Sequence, residues 1–107
     1  MPEITEVTDI ISTRELVYIS AQGIREKAII EIGKPYKMPE EDGYFCPYRI
    51  STTSYERLSG SVGIDSFQAL ELTLRSMDAE LTYWARLKGG SFEFLGEPGT
   101  GLENISS

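Results

Sequence analysis

The sequence predicts an α+β fold, in which a four-stranded antiparallel sheet is covered by one long C-terminal helix and a short fifth strand can follow. Two patterns predict it. Short segments of alternating apolar residues, separated by glycine and proline, occupy the first part of the chain, and apolar residues spaced by three and four follow over residues 66–88. The first pattern is typical of half-buried strands, and the second is typical of an amphipathic helix.

The four strand segments are bounded by turn-forming residues and span residues 14–20, 25–33, 44–52 and 57–64. Gly23 lies in a short turn between the first two segments, which predicts a hairpin. Residues 34–43 are predicted to form a loop, because Pro35 and Pro39 would each remove a ladder hydrogen bond. Residues 91–95 can add a short last strand.

The helix has predicted ends as well as a predicted core face. Asp65 is a favourable N-cap, Gln68 completes a capping box, and Gly89 can adopt the positive φ that ends a helix. The predicted core stripe consists of Phe67, Leu70, Leu74, Met77, Leu81 and Trp84.

Length and charge predict one domain with acidic ends. A chain of 107 residues with 40% hydrophobic composition can build one core, which we assign to residues 11–95. Residues 1–10 form a predicted acidic N-terminal tail, and residues 96–107 form a predicted disordered acidic C-terminal tail. The net charge of -7 comes mainly from these ends. The near-neutral body argues against nucleic-acid binding, which needs clustered basic residues.

The composition argues against most enzyme chemistry. The chain has no histidine, the commonest general base, and Cys46 lies within a predicted strand as a small core residue. The acids at 40–42 lack the ligand spacing of a calcium loop, so no metal or cofactor is predicted. Residues 59–66 lead into the helix N-terminus and could bind a small ligand or an anion, but Asp65 would repel phosphate.

The far side of the predicted helix carries a second stripe of apolar and small residues: Ala69, Leu72, Ser76, Ala79, Tyr83 and Leu87. A helix whose back faces water should be polar there, and small residues would let another helix approach closely. We therefore expect a protein partner, including a second copy in a homodimer. The alternative is that the tails fold over this stripe, or that the patch is tolerated. Tyr36 and Tyr55, outside the predicted strands, are further contact candidates.

The cellular location is predicted to be the cytoplasm. One cysteine cannot form an internal disulfide, which favours a reducing compartment. The first residues lack the basic and apolar regions of a signal peptide, and no apolar stretch is long enough to span a membrane.

Two segments, Cys46-Pro-Tyr-Arg-Ile50 and Gly63-Ile-Asp-Ser-Phe-Gln-Ala-Leu70, together with the Gly33-x-Pro35 step, resemble a small bacterial family known only as a domain of unknown function. The resemblance covers about residues 14–95. It implies no catalytic residues. Small acidic bacterial domains of this kind often look like immunity proteins that neutralise a toxin.

The predicted function is a non-enzymatic protein-interaction domain that self-associates through the outer stripe of the helix. The alternative is an immunity or antitoxin protein that uses its acidic tails, Tyr36 and the acids at 40–42 against a basic toxin. A small-ligand or anion binder at residues 59–66 is the third hypothesis.

Overall fold

A computed structural model describes residues 4–102, which form one antiparallel sheet with one helix packed on it. The strands are β1 (Ile10–Ile19), β2 (Arg25–Gly33), β3 (Tyr36–Lys37), β4 (Tyr44–Ser51), β5 (Glu56–Gly63), β6 (Ser91–Phe94) and β7 (Glu97–Pro98). The helix α1 (Ser66–Lys88) connects β5 to β6.

The sheet has the strand order β5-β4-β2-β1-β6-β7, and all of its pairs are antiparallel. The short β3 pairs with the first part of β4, whereas β2 pairs with the second part. The β4 register moves by one residue between these two pairings, at the position of Pro35. We therefore regard β3 as a displaced continuation of β2, since proline interrupts a ladder.

The predicted four-stranded sheet is wrong, because the described residues form a 7-stranded sheet. The predicted segments correspond to β1, β2, β4 and β5, and β6 lies where a short extra strand was allowed. β3 and β7 have only 2 residues each, too few to show an alternating pattern. The prolines that predicted a loop, Pro35 and Pro39, lie on either side of β3 rather than within it.

Both predicted tails are partly folded onto the domain. Before β1, the carbonyl of Asp9 accepts a hydrogen bond from the Lys34 amide at 2.9 Å. After β6, β7 extends the sheet and Leu102 is buried in the main core. The prediction of a disordered tail from residue 96 is thus wrong as far as residue 102, because apolar burial and strand pairing order this segment. Residues 1–3 and 103–107 lie outside the described residues.

The helix ends are made by the predicted capping residues. The Asp65 carboxylate accepts a hydrogen bond from the Gln68 amide at 2.8 Å, and the Gln68 side chain accepts one from the Ile64 amide at 2.8 Å. At the other end Gly89 has a φ of 72°, and its amide donates to the Arg86 carbonyl. These local contacts satisfy backbone groups that an α-helix leaves unpaired at its ends.

The main core lies between α1 and the helix-facing side of the sheet. Alternate residues of the central strands are buried there, namely Leu16, Tyr18, Ala28, Ile30, Ile32, Cys46, Tyr48 and Ile50. From the helix, Met77 and Leu81 are buried as predicted, but Phe67 is 79% exposed. The reason is Gly63, which lies directly against the backbone of Ala69. Such a close approach admits only a small residue, so Ala69 faces the sheet and Phe67 points away.

A smaller apolar cluster lies on the opposite side of the sheet, around Phe45. Its side chain is 0% exposed, Met38 is 3% exposed, and the Tyr36 ring packs edge-on against it at 5.8 Å. Beyond this cluster, Arg49 pairs with Glu31 and Glu56 across three strands, and the half-buried Val17 and Ile29 lie on the same side. The helix-free side is therefore a partly exposed sheet face, which antiparallel sheets tolerate.

Candidate protein-binding surface

The β5 strand forms one end of the sheet, and its outer edge is free. Among the strands of residues 4–102, β5 pairs only with β4. It has 8 residues, and each of them is paired on the β4 side. A free edge of this kind presents a row of unpaired backbone donors and acceptors that another strand can join.

Three contacts attach the free-edge strand to the helix, which runs antiparallel beside it. Gly63 packs against Ala69 near the start of α1. The Ser61 and Ser76 hydroxyls lie 3.2 Å apart, midway along the strand. At the far end, the Arg57 guanidinium pairs with Glu80 at 2.7 Å. One side of the helix therefore follows the free edge along most of its length.

This helical side carries much of the predicted outer stripe. Residues three and four apart are neighbours on a helix, so Leu72 and Ala79 lie next to Ser76, and Tyr83 lies next to Glu80. Leu72 is half-buried, Ala79 is exposed, and Tyr83 is 64% exposed. We call the outer edge of β5 together with Leu72, Ala79 and Tyr83 the edge surface.

Exposed apolar side chains also lie where β5 leads into the helix. Val62 is 41% exposed, Ile64 is 81% exposed and Phe67 is 79% exposed. Isolated exposed apolar residues are ordinary, but three within six residues of one strand end form a patch. This junction patch extends the edge surface beyond the end of the strand. The sequence does not indicate this patch, because Phe67 fits the spacing of the core stripe.

A buried polar cluster lies behind the edge surface. Tyr48 is 2% exposed, and its hydroxyl interacts with Ser59 and Glu80. Burial is the larger cause of the raised pKa of Tyr48, and the negative charge of Glu80 raises this pKa further. Glu80 Oε2 is buried without a hydrogen bond of ordinary geometry to any described residue. The Arg57–Glu80 pair therefore stabilises the fold, since it neutralises a largely buried carboxylate beside the free edge of β5.

The structure separates the predicted partner-binding residues into three groups. Leu72, Ala79 and Tyr83 belong to the edge surface, and Leu87 is 65% exposed in the last helical turn. Ala69 is 0% exposed within this chain, and Ser76 is half-buried against Ser61.

The two predicted contact tyrosines lie apart from each other. Tyr55 precedes β5 and stacks on Trp84, with ring centroids 4.9 Å apart. Tyr36, on β3, is 42% exposed on the other side of β4 from β5. Tyr55 is therefore close to the edge surface, and Tyr36 is not part of it.

The other candidate sites contain few reactive groups. Cys46 is buried, and that burial raises the pKa of its thiol, which disfavours the nucleophilic thiolate. The Asp65 carboxylate caps the helix N-terminus, where an anion would have to bind. No group of three or more metal-ligating side chains occurs within residues 4–102. The helix of this part of the chain is not apolar enough to cross a membrane.

The fold and surface define a small sheet-and-helix domain with a free strand edge. A family model matches residues 12–104, and the chain belongs to that family, a domain of unknown function (DUF6968). The match extends past β7. No curated protein and no solved structure matches the chain.

Proposed function

We propose that this protein is a non-enzymatic protein-interaction domain that self-associates through the edge surface. The observation that carries the proposal is the free 8-residue edge of β5, lined by exposed residues of the adjacent helix. Strand addition to an exposed edge is a recurrent mode of protein recognition, in which main-chain hydrogen bonds give affinity. The same surface on two copies can pair around a two-fold axis.

The charge distribution of β5 favours pairing with a second copy. Its charged residues, Glu56 and Arg57, lie at the beginning, and residues 58–63 carry no charge. Two antiparallel β5 strands centred on the uncharged part would avoid placing like charges opposite each other, which is destabilising. Eight residues of extended strand span about 27 Å, enough for several main-chain hydrogen bonds.

The helical part of the edge surface adds apolar contact to this pairing. With two β5 strands side by side, the Leu72–Tyr83 flanks of the two helices would approach each other on one side of the joined sheet. Small Ala79 lies between these larger residues and would permit a close approach. The outer stripe predicted from the sequence thus enters the proposal as a flank of the strand edge.

The test is the native mass of the protein, measured by light scattering over a range of concentrations. Wild type is expected to dimerise, and Val62→Lys and Tyr83→Glu should each give a folded monomer. Leu95→Lys is the matched control, because Leu95 is 86% exposed in the turn between β6 and β7, at the other end of the sheet. A wild type that is monomeric at millimolar concentration would refute self-association.

Hydrogen exchange locates the interface independently of substitutions. Outward amides of β5 should gain protection as the concentration rises, and the amides of β6 and of Glu97 should not change. Protection that rises only in the last helical turn, around Leu87, would contradict strand pairing and favour a purely helical contact.

The second candidate function is an immunity or antitoxin protein. The acids at 40–42 are exposed, and Lys37 Nζ donates to the Glu41 carbonyl at 2.8 Å, which holds the loop on β3 beside exposed Tyr36. This surface would suit a basic partner. Pull-downs from the native host should recover such a partner with wild type, but not with a variant in which the loop acids are neutralised by Glu40→Gln, Glu41→Gln and Asp42→Asn. We place either function in the cytoplasm, because the one cysteine is free.

A further inference from the structure

A cavity of about 200 Å³ lies between the helix and the part of the sheet formed by the beginning of β1 and the end of β2. The helix passes from β5 toward β6, where Trp84 packs on Phe92. The beginning of β1 and the end of β2 are covered instead by residues 101–102. The cavity is lined on one side by the apolar residues Ile30, Ile32, Leu74, Met77 and Leu102, and on the other by Arg14 with the polar Ser12 and Thr13.

Arg14 is the charged residue of this lining, and its guanidinium is held in place. Nη1 donates to the Thr100 carbonyl at 3.2 Å, and the guanidinium carbon lies 4.1 Å from the centroid of the Phe94 ring. Gly101 passes so close to Arg14 Nη1 that a Cβ there would lie 2.7 Å from it. These contacts orient the side chain and leave most of its five donors for another partner.

Within residues 4–102, Arg14 has no carboxylate partner. Arg25, Arg49 and Arg57 each have a carboxylate within 2.9 Å, but no carboxylate of the described residues lies within 4 Å of Arg14. None of the described residues that line the cavity is acidic. A partly buried guanidinium without a carboxylate beside it favours the binding of an anion, because ion pairing there is only weakly screened by water.

We propose that this cavity binds a small monocarboxylic acid whose apolar part is aromatic or branched. The carboxylate would pair with Arg14, whose planar fork matches carboxylate geometry, and the apolar part would lie against Ile30, Ile32 and Met77. An apolar cavity of about 150 Å³ can hold benzene, so this one has room for a molecule the size of benzoate. The site is separate from the edge surface and does not depend on the proposed self-association.

The probe is benzoate, titrated into the full chain and followed by calorimetry and by backbone amide shifts. Saturable binding is expected at millimolar or lower concentration, with shifts at Ile30, Ile32 and Leu74. Benzamide, which keeps the shape but not the charge, should bind at least tenfold more weakly. Absence of saturation by benzoate, or equal binding of benzamide, overturns the proposal.

Variants separate the charge from the fold. Arg14→Gln should weaken benzoate binding at least tenfold, and Arg14→Lys should weaken it less, because lysine keeps the charge but loses the fork. Arg86→Gln removes an exposed arginine of the last helical turn and should bind like wild type. If Arg14→Gln unfolds, Arg14→Lys together with benzamide still decides the question.

The other source of a carboxylate is the chain itself, because Glu103 follows directly after Leu102. Glu103→Gln distinguishes it from a free acid. Equal benzoate affinity of wild type and Glu103→Gln supports the free ligand. Binding that occurs only in Glu103→Gln overturns the proposal, because Arg14 would then pair with the protein's own carboxylate.

Discussion

The two ends of the sheet differ in length, charge and attachment to the helix. At one end, β5 has 8 residues, no proline, and charges only at its first two positions. At the other end, β7 has 2 residues, a glutamate and a proline. The helix runs beside β5 and is joined to it by Gly63, Ser61 and Arg57.

This difference indicates which end of the sheet is protected against pairing with another chain and which end is open to such pairing. Short edge strands, charges and proline are the usual devices that prevent a sheet from pairing with other chains. The β7 end has all three. The β5 end has charges only at Glu56 and Arg57, so its uncharged residues 58–63 are the place where we expect a partner strand.

The largest expected effect comes from separating β5 from the helix. A Cβ on Gly63 would lie 2.3 Å from the Ala69 amide nitrogen, which is backbone and cannot rotate away. Gly63→Val should therefore lower the free energy of unfolding by about 3 kcal/mol, as overpacking does. The measurement is the urea unfolding midpoint.

The control for this substitution is Gly23→Asn. Gly23 has nothing within 4 Å of its added Cβ, and asparagine tolerates its positive φ of 83°. Its cost should stay below about 1 kcal/mol. Equal losses for the two variants would show that contact with Ala69 does not hold the strand.

The next effect concerns the polar cluster behind the β5 edge. Tyr48→Phe removes a hydroxyl that interacts with Ser59 and Glu80, and should cost about 1 kcal/mol at neutral pH. Tyr83→Phe removes an exposed hydroxyl and should cost little. Thermal unfolding of both variants at pH 7 tests the difference. Similar losses of stability in the two variants would contradict a stabilising role of the polar cluster.

The pKa of Tyr48 also predicts how stability changes with pH. Because the folded state raises this pKa, the unfolded chain releases the phenolic proton first as the pH rises. The contribution of neutral Tyr48 is complete below the ordinary tyrosine pKa of about 10 and is lost above it. Wild type should therefore lose stability more steeply than Tyr48→Phe above that pH. Parallel losses in the two proteins would be inconsistent with this assignment.

The smallest effect is expected at the β7 end. Leu95 and Gly96 form a two-residue hairpin turn with φ values of 53° and 82°, a conformation that asparagine adopts more easily than leucine. Leu95→Asn should stabilise the protein by roughly 0.5 kcal/mol. Because Leu95 is exposed, the native mass should not change, and a shift toward monomer would place the interface at this end of the sheet instead.

The long strands and the helix are predictable from the sequence, whereas the shortest strands are not. The strands around Ile30 and Ile50 have enough residues for alternation to show which face is buried. β3 and β7 do not, and β3 also lies between two prolines that favour a loop. Their pairing depends on β4 and β6 being already in place, which is information from outside the local segment.

The predicted binding residues were only partly brought together, for a similar reason. Helical periodicity showed two stripes, but it could not show how the helix is rotated on the sheet. The contact between Gly63 and Ala69 decides that rotation, and it turns Phe67 outward and Ala69 inward. Leu72, Ala79 and Tyr83 consequently flank the free edge of β5.

The amino-acid sequence alone sets where the helix begins and ends and which residues of the long strands are buried. Those features depend on neighbours close in the chain: the Asp65 cap, the Gly89 stop and the alternation of apolar residues. The number of strands, the strand pairing of residues 97–98 and the side of the helix that lies along an unpaired edge depend on the tertiary structure. These features depend on contacts between residues far apart in the chain, such as Arg57 with Glu80 and Arg14 with Thr100, which no local pattern contains.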